Sequence, residues 1–254
     1  MSEQIVCSLR GGIAHLCLNR EEKRNALDGP MIEALHSACH KIETGNASLV
    51  LLSGAGETFC AGGDIDAWST LSPQEFGRHW ITNGHRAFDT LARLRQPVIA
   101  ILDGHVYGGG LELAACADIR IAEEHVRIGQ PETTLGIVPG WSGTQRTVRR
   151  FGSQVVRRMT ILGEQFSASQ AYDLGLVDHV VETGQAMATA HSLATDILSR
   201  GPRALELVKL MINAAEGEDT ERVIDILAGT IAADSNDLAE GLARWQQNRT
   251  RKAR

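Results

Sequence analysis

The chain has 254 residues, 43% of them hydrophobic, and a formal net charge of −6. That length and apolar share support one large core, with or without an appendage. The acidic balance argues against a nucleic-acid-binding surface, and no uninterrupted apolar stretch is long enough to span a membrane. The five cysteines, Cys7, Cys17, Cys39, Cys60 and Cys116, include no Cys-x-x-Cys pair. A zinc site and a thioredoxin-like motif are therefore unsupported, and a reduced, cytoplasmic protein is expected. Met1-Ser2-Glu3-Gln4 lacks the basic-then-apolar pattern of a signal peptide.

Ile5 to Leu9 and Ile13 to Leu18 flank Gly11-Gly12 and predict a hairpin. Asp28-Gly29-Pro30 opens a helix to about Glu43, with proline in its first turn. Leu49 to Leu52 predicts a short buried strand ending at Gly54. Ser72-Pro73-Gln74-Glu75 is a capping box that starts a helix reaching about Leu94. Pro97 to Leu102 is the next strand, and Gly108-Gly109-Gly110 then leads into a helix over Leu111 to Cys116. Ile119 to Ala122 and Val126 to Ile128 are further strands; from about Ser142 the chain reads as mostly helical. A second capping box, Ser167-Ala168-Ser169-Gln170, and one last strand, Val177 to Val181, interrupt that stretch. Strand–turn–helix units recur at Leu49 to Asp66 and Val98 to Cys116, which argues an α/β fold with parallel strands. After about Asp196 the apolar positions Leu205, Val208, Met211, Ile212, Val223, Ile226 and Leu227 repeat at helical spacing. They suit packing on the core or on another subunit.

Two glutamates stand beside glycine turns. Glu112 falls in the first turn of the helix that follows the triple glycine; Glu132 follows Pro131 in Gly129-Gln130-Pro131-Glu132. Upstream, Phe59-Cys60-Ala61-Gly62-Gly63-Asp64-Ile65 repeats the strand–glycine–helix pattern. Each feature has an ordinary structural account. Glycines permit close packing, an acidic residue suits a helix N-terminus, and Asp64 suits an N-cap. Together they offer one carboxylate to activate water, one to deliver a proton, and backbone N–H groups for an oxyanion. That combination suggests addition of water across a double bond next to a carbonyl. Cys60 has no histidine beside it and reads as a packing residue. Phe59 occupies the third glycine position of Gly-x-Gly-x-x-Gly after Gly54, and neither a P-loop nor a Gly-x-Ser-x-Gly elbow is present. The nine histidines offer no pair in a metal-binding context.

Several ordered segments carry a family likeness. They are Asn19 to Leu27 (NREEKRNAL), Phe59 to Ile65, Gly108 to Ala114, Gly129 to Glu132, Leu135 to Gly140 (LGIVPG) and Gly143 to Arg146 (GTQR). On these the chain resembles the enoyl-CoA hydratase/isomerase (crotonase) family over nearly its whole length. The resemblance implies a crotonase-like spiral of ββα units over 1–195, and a C-terminal helical trimerisation region over 196–254 that builds homotrimers or hexamers. It implies a coenzyme A thioester as substrate, with no metal or redox cofactor, no nucleic acid and no membrane. Gly63 and Gly109 match the oxyanion-hole positions, and Glu112 and Glu132 the catalytic carboxylates of the hydratases. Lys23, Arg24 and Ala26 match the region lining the CoA nucleotide and pantetheine; Ala61, Asp64 and Ile65 lie beside the same channel.

Departures from the family pattern stand out too. Trp68, Phe76, His79 and Trp80 fall where relatives shape the acyl pocket, and Trp141-Ser142 replaces a frequent small-residue pair. Local packing is the favoured account of these bulky groups; the functional one is a pocket that restricts chain length or favours a branched or aromatic acyl group. The Arg249 to Arg254 run lacks the aromatic ending of many relatives, and reads as a solvated tail or a phosphate contact. The functional expectation is hydration of a trans-2-enoyl-CoA. The alternatives are another crotonase-type reaction, an isomerase or C–C lyase, and an RNA-binding relative, against which the charge argues.

Overall fold

The computed structural model describes residues 3–252. Among them, the strands are β1 (Ile5–Arg10), β2 (Ile13–Leu18), β3 (Leu49–Gly54), β4 (Thr58–Cys60), β5 (Val98–Leu102), β6 (His105–Tyr107), β7 (Ile119–Glu123), β8 (Arg127–Gly129), β9 (Gln165–Ser167) and β10 (His179–Val181). They form a six-stranded sheet ordered β1-β2-β3-β5-β7-β10 and a four-stranded sheet ordered β4-β6-β8-β9. All neighbours are parallel except β1 with β2 and β8 with β9. Each of β3, β5 and β7 is followed at once by a strand of the small sheet, so the chain winds through both sheets turn by turn. That is the expected α/β spiral.

The apolar run of β3 explains why its turn is central. All six of its residues are buried, as a parallel strand covered on both faces requires. Val50 and Leu52 face one core, with Phe88, Leu91, Val98 and Ala100. Leu49 and Leu51 face the other, with Ile99, Ile101 and Ile121, against Ala186, Ala190 and Ala194 of the helix Ala186–Leu198. The helix Gly29–Thr44 begins as expected, with the Asp28 carboxylate accepting from the Met31 N–H.

Two differences from the sequence reading bear on the site. The helix expected over 72–94 is a helical run over 73–92 interrupted by a π-helical stretch, Phe76–Ile81. The strands β4, β6 and β9 are three residues each and exist through pairing, β4 with β6, and β6 and β9 with β8, which no local pattern announces.

The chain divides into compact units 1–209 and 210–254, a boundary later than the 195/196 drawn from sequence. The first unit keeps the helix Ala186–Leu198 because its alanine face closes the core under β3, β5 and β7. The second contains the end of the helix Pro202–Ala215, then Thr220–Ala233 and Asn236–Lys252. In it Val223 is buried, whereas Met211, Ile212, Ile224, Ile231, Leu242 and Trp245 are exposed. The side chains of the basic run 249–254 lie outside the described residues. Among the described residues no helix is long and apolar enough to cross a membrane.

Candidate active site

The first glycine turn is gripped by the segment just after β2. Asn25 sits in the left-handed region at φ +54° and is fully buried. Its side-chain amide donates to the Ala55 and Thr58 carbonyls at 2.8 and 2.7 Å, and its Oδ1 accepts from the Arg20 N–H. With the segment fixed, the Ala61 N–H donates to the Arg24 carbonyl, the Leu27 N–H to the Gly62 carbonyl, and the Asp64 N–H to the Leu27 carbonyl. Gly63 is thereby held between two backbone bonds while its own N–H donates to no acceptor among the described residues. Asp64 caps the next helical turn by accepting from the Asp66 N–H, and Arg20 reaches its other oxygen at 2.6 Å. Burial pushes the Asp64 carboxyl up, but Arg20, the Asp66 N–H and Lys23 together outweigh it and the net shift is downward.

The second turn follows β6. Gly108 has φ +53°, a conformation that favours glycine. The Gly108 N–H donates to the Gly129 carbonyl, and the helix Gly109–Ala114 starts at the next residue. As a first-turn residue, Gly109 presents an N–H with no helical partner. The two turns touch: a Cβ placed on Gly109 would stand 3.4 Å from the Gly63 nitrogen, and one on Gly62 3.2 Å from the Gly109 nitrogen. A side chain at Gly62 would crowd the second turn, whereas one at Gly109 would only touch the first.

Glu112 is 3% exposed. The Trp141 N–H donates to its Oε1 at 2.7 Å, and the Gly143 N–H donates to the same carboxylate. Glu132 opens a short 3-10 turn after β8. Both its oxygens are buried and meet no protein partner, as is true of the Gln130 side-chain amide. Burial, and for Glu112 the charge of Glu132, pushes both carboxyls up, so the pair titrates across about 7 to about 8. Burial alone would favour the proton on the deeper Glu112. The two main-chain N–H donors act the other way and favour the anion there, undoing part of the upward shift.

Glu112, Glu132, Gly63 and Gly109 line one cavity of about 210 Å³, together with Ala61, Ile65, Trp68, Trp80 and Trp141. The structure thus brings together the four residues matched to chemistry and the three tryptophans matched to an acyl pocket. Of the residues matched to CoA, only Ala61 and Ile65 line the cavity. Lys23 and Arg24 are exposed on the gripping segment, with Lys23 paired to Asp66 at 2.9 Å; Ala26 is half-buried and accepts from Arg20. Asp64 is occupied by its cap and by Arg20. Among the described residues no group of three His, Cys, Asp or Glu is placed to hold a metal.

Sequence reasoning missed the clamp on Glu112. Ser142, between the two donating residues, has φ +68°, and its hydroxyl shares a hydrogen bond with His85 Nδ1 at 3.1 Å. Gln130 stands inside a recognised motif, yet nothing local marks its amide as buried beside Glu112. A Cβ on Gly143 would lie 2.3 Å from Glu112 Oε1 and 2.4 Å from Gln130 Nε2. Gly143 is required there by that crowding.

The sequence matches the enoyl-CoA hydratase/isomerase family over residues 8–251. It is 37% identical to a short-chain-enoyl-CoA hydratase of Clostridium acetobutylicum over 82% of this chain and 80% of that protein. It is 32% identical to a crotonyl-CoA hydratase of Syntrophomonas wolfei over 97% of this chain and 96% of that protein. The fold superposes on the crystal structure of an enoyl-CoA hydratase from Bacillus anthracis with a TM-score of 0.81, at 31% identity and 96% coverage of each chain.

Proposed function

The chain belongs to the enoyl-CoA hydratase/isomerase family, and on that premise we propose that it adds water to a trans-2-enoyl-CoA thioester. One observation carries the reading. Two buried carboxylates and two unpartnered glycine N–H groups converge on a single apolar cavity. The thioester oxygen docks against the N–H groups of Gly63 and Gly109, which stabilise it as it takes on enolate charge. In the reactive form the proton sits on Glu132, and Glu112, as the anion that accepts from the Trp141 and Gly143 N–H groups, takes a proton from water. The water oxygen bonds to the β-carbon, the double bond's electron pair moves toward the thioester, and Glu132 delivers a proton to the α-carbon. The pair ends with one proton, as it began. No metal or redox cofactor enters this step.

CoA enters by the exposed segment carrying Lys23 and Arg24, in this reading, with Ala61 and Ile65 at the mouth. The exposed Met211 and Ile224 of the second unit support assembly into homotrimers or hexamers, which sedimentation as a monomer would overturn. The activity test is loss of conjugated enoyl-thioester absorbance with crotonyl-CoA, run beside Glu132→Gln. Rapid loss abolished in the variant is expected. No loss, with a 3-enoyl-CoA converted to the conjugated ester instead, would replace hydration by double-bond isomerisation.

A further inference from the structure

Resting on that reading, we propose that Trp141 is the closed end of the acyl site and restricts the enzyme to short, uncharged acyl groups. The ring stands directly behind the oxyanion glycines. A Cβ on Gly109 would lie 2.7 Å from Trp141 Cζ3, and one on Gly63 3.4 Å from Trp141 Cη2 and 3.1 Å from Trp80. A chain running past the β-carbon meets these rings.

Trp141 cannot swing clear. Its indole fills the space that Gly84 leaves by having no side chain, since a Cβ there would sit 2.1 Å from Nε1. The Nε1–H donates to the Trp80 carbonyl at 3.3 Å. Phe88 packs edge-on with centroids 5.2 Å apart, and Trp80 lies at 5.1 Å. The residue is 3% exposed. Rings wedged in this way sit in a packed interior that transmits rather than absorbs displacement.

Charge narrows the substrate class as well. Among the described residues no Lys, Arg or His lines the cavity, and the only ionisable groups among them there are Glu112 and Glu132. An acyl group ending in a carboxylate would be desolvated with no cation from these residues to meet it, beside a carboxylate pair that itself carries negative charge. The Trp141 main-chain N–H meanwhile holds Glu112. Acyl length and position of the base are therefore set by one residue through two different parts, and replacing the side chain alone separates them.

The test measures binding of saturated butyryl-CoA and decanoyl-CoA by calorimetry, and hydration of the matching 2-enoyl esters. The wild-type chain should favour the short ester by about tenfold or more in each assay. Trp141→Ala should narrow that ratio by about tenfold, and Trp141→Leu, which leaves a smaller void, should narrow it less. Equal preference in the wild type, or a ratio unmoved in both folded variants, overturns the proposal. Glutaconyl-CoA binding as tightly as crotonyl-CoA overturns the charge restriction. A protein that hydrates neither ester yet binds butyryl-CoA tenfold tighter sinks the hydration reading and leaves the acyl restriction standing.

Discussion

The core under the large sheet and the cavity reached from the same strands are built on opposite terms. Under the sheet, Leu49, Leu51, Ile99, Ile101 and Ile121 meet Ala186, Ala190 and Ala194, all fully buried and all apolar. Burial there stabilises by roughly 25 cal/mol per Å². The spiral then carries β3 into β4 and β5 into β6, and the turns that follow assemble Gly63, Gly109 and Glu112. Here two carboxylates are pushed up by burial, and the Gln130 amide is buried without a protein partner. Such a site lowers stability, and the apolar core offsets that cost.

Glu132→Gln tests this contrast most strongly. Loss of the proton donor should lower hydration by about 10²–10⁴-fold, while the folded state gains. Both glutamates have folded pKa values above the unfolded value of about 4.3. Between that value and about 8 the native state holds more protons than the unfolded one, so stability falls as pH rises through the window and levels off above it. Thermal melts should therefore show Glu132→Gln and Glu112→Gln little changed at pH 4 but more stable than the parent at pH 9. Equal melting temperatures at pH 9 would mean that the buried pair costs the fold nothing. Gly109→Ala keeps the N–H but puts a Cβ 2.7 Å from a ring that cannot recede. The backbone must move, and hydration should drop by about 10²-fold; a drop under threefold in a steady-state assay would show that the turn has slack. Leu51→Ala should do the reverse, costing about 2–5 kcal/mol in a urea titration with kcat of the folded protein intact. A fall in kcat would join the two regions that the contrast separates.

How much of this could be read beforehand differs between the same two regions. The core was legible because it is local. β3 is a continuous apolar run, the helix Gly29–Thr44 carries its cap and its proline, and both capping boxes form their reciprocal bonds. Cys60, expected to pack, is buried with its thiol pushed up to about 12. At the site, Glu112 and Glu132 were visible through their glycine motifs, but their restraints were not. The clamp on Glu112 comes from residues 29 and 31 positions further on, and Ser142 meets His85 across 57 positions. The π-helical stretch is equally silent in sequence. Its capping box marks where the helix starts, but nothing in Phe76 to Ile81 signals the wider turn that sets Phe76, Trp80 and Ile81 on the cavity wall. Asp64 shows the converse. Its N-cap role was local and readable, whereas its ion pair with Arg20 is made across the fold and leaves the side chain engaged away from the cavity.

The smallest effect falls on Ser142, and it bears on how the catalytic base is held. A non-glycine residue in the left-handed region costs about 1–2 kcal/mol, and its hydrogen bond to His85 returns about 1 kcal/mol. Ser142→Gly removes both and should leave stability within about 1 kcal/mol of the parent. Ser142→Ala keeps the strain and removes the bond, so it should lose about 1 kcal/mol. Its sharper consequence is electrostatic. If the His85 bond keeps the turn where the Trp141 and Gly143 N–H groups point at Glu112, loosening it weakens the donors that favour the anion, and the Glu112 pKa moves further up. The limb of the kcat/KM profile that reports ionisation of the base then shifts to higher pH, a change that mere loss of stability does not produce. A profile that stays in place in Ser142→Ala would assign the clamp to the backbone turn alone, as rigid without its side-chain pin as the core is without any polar group.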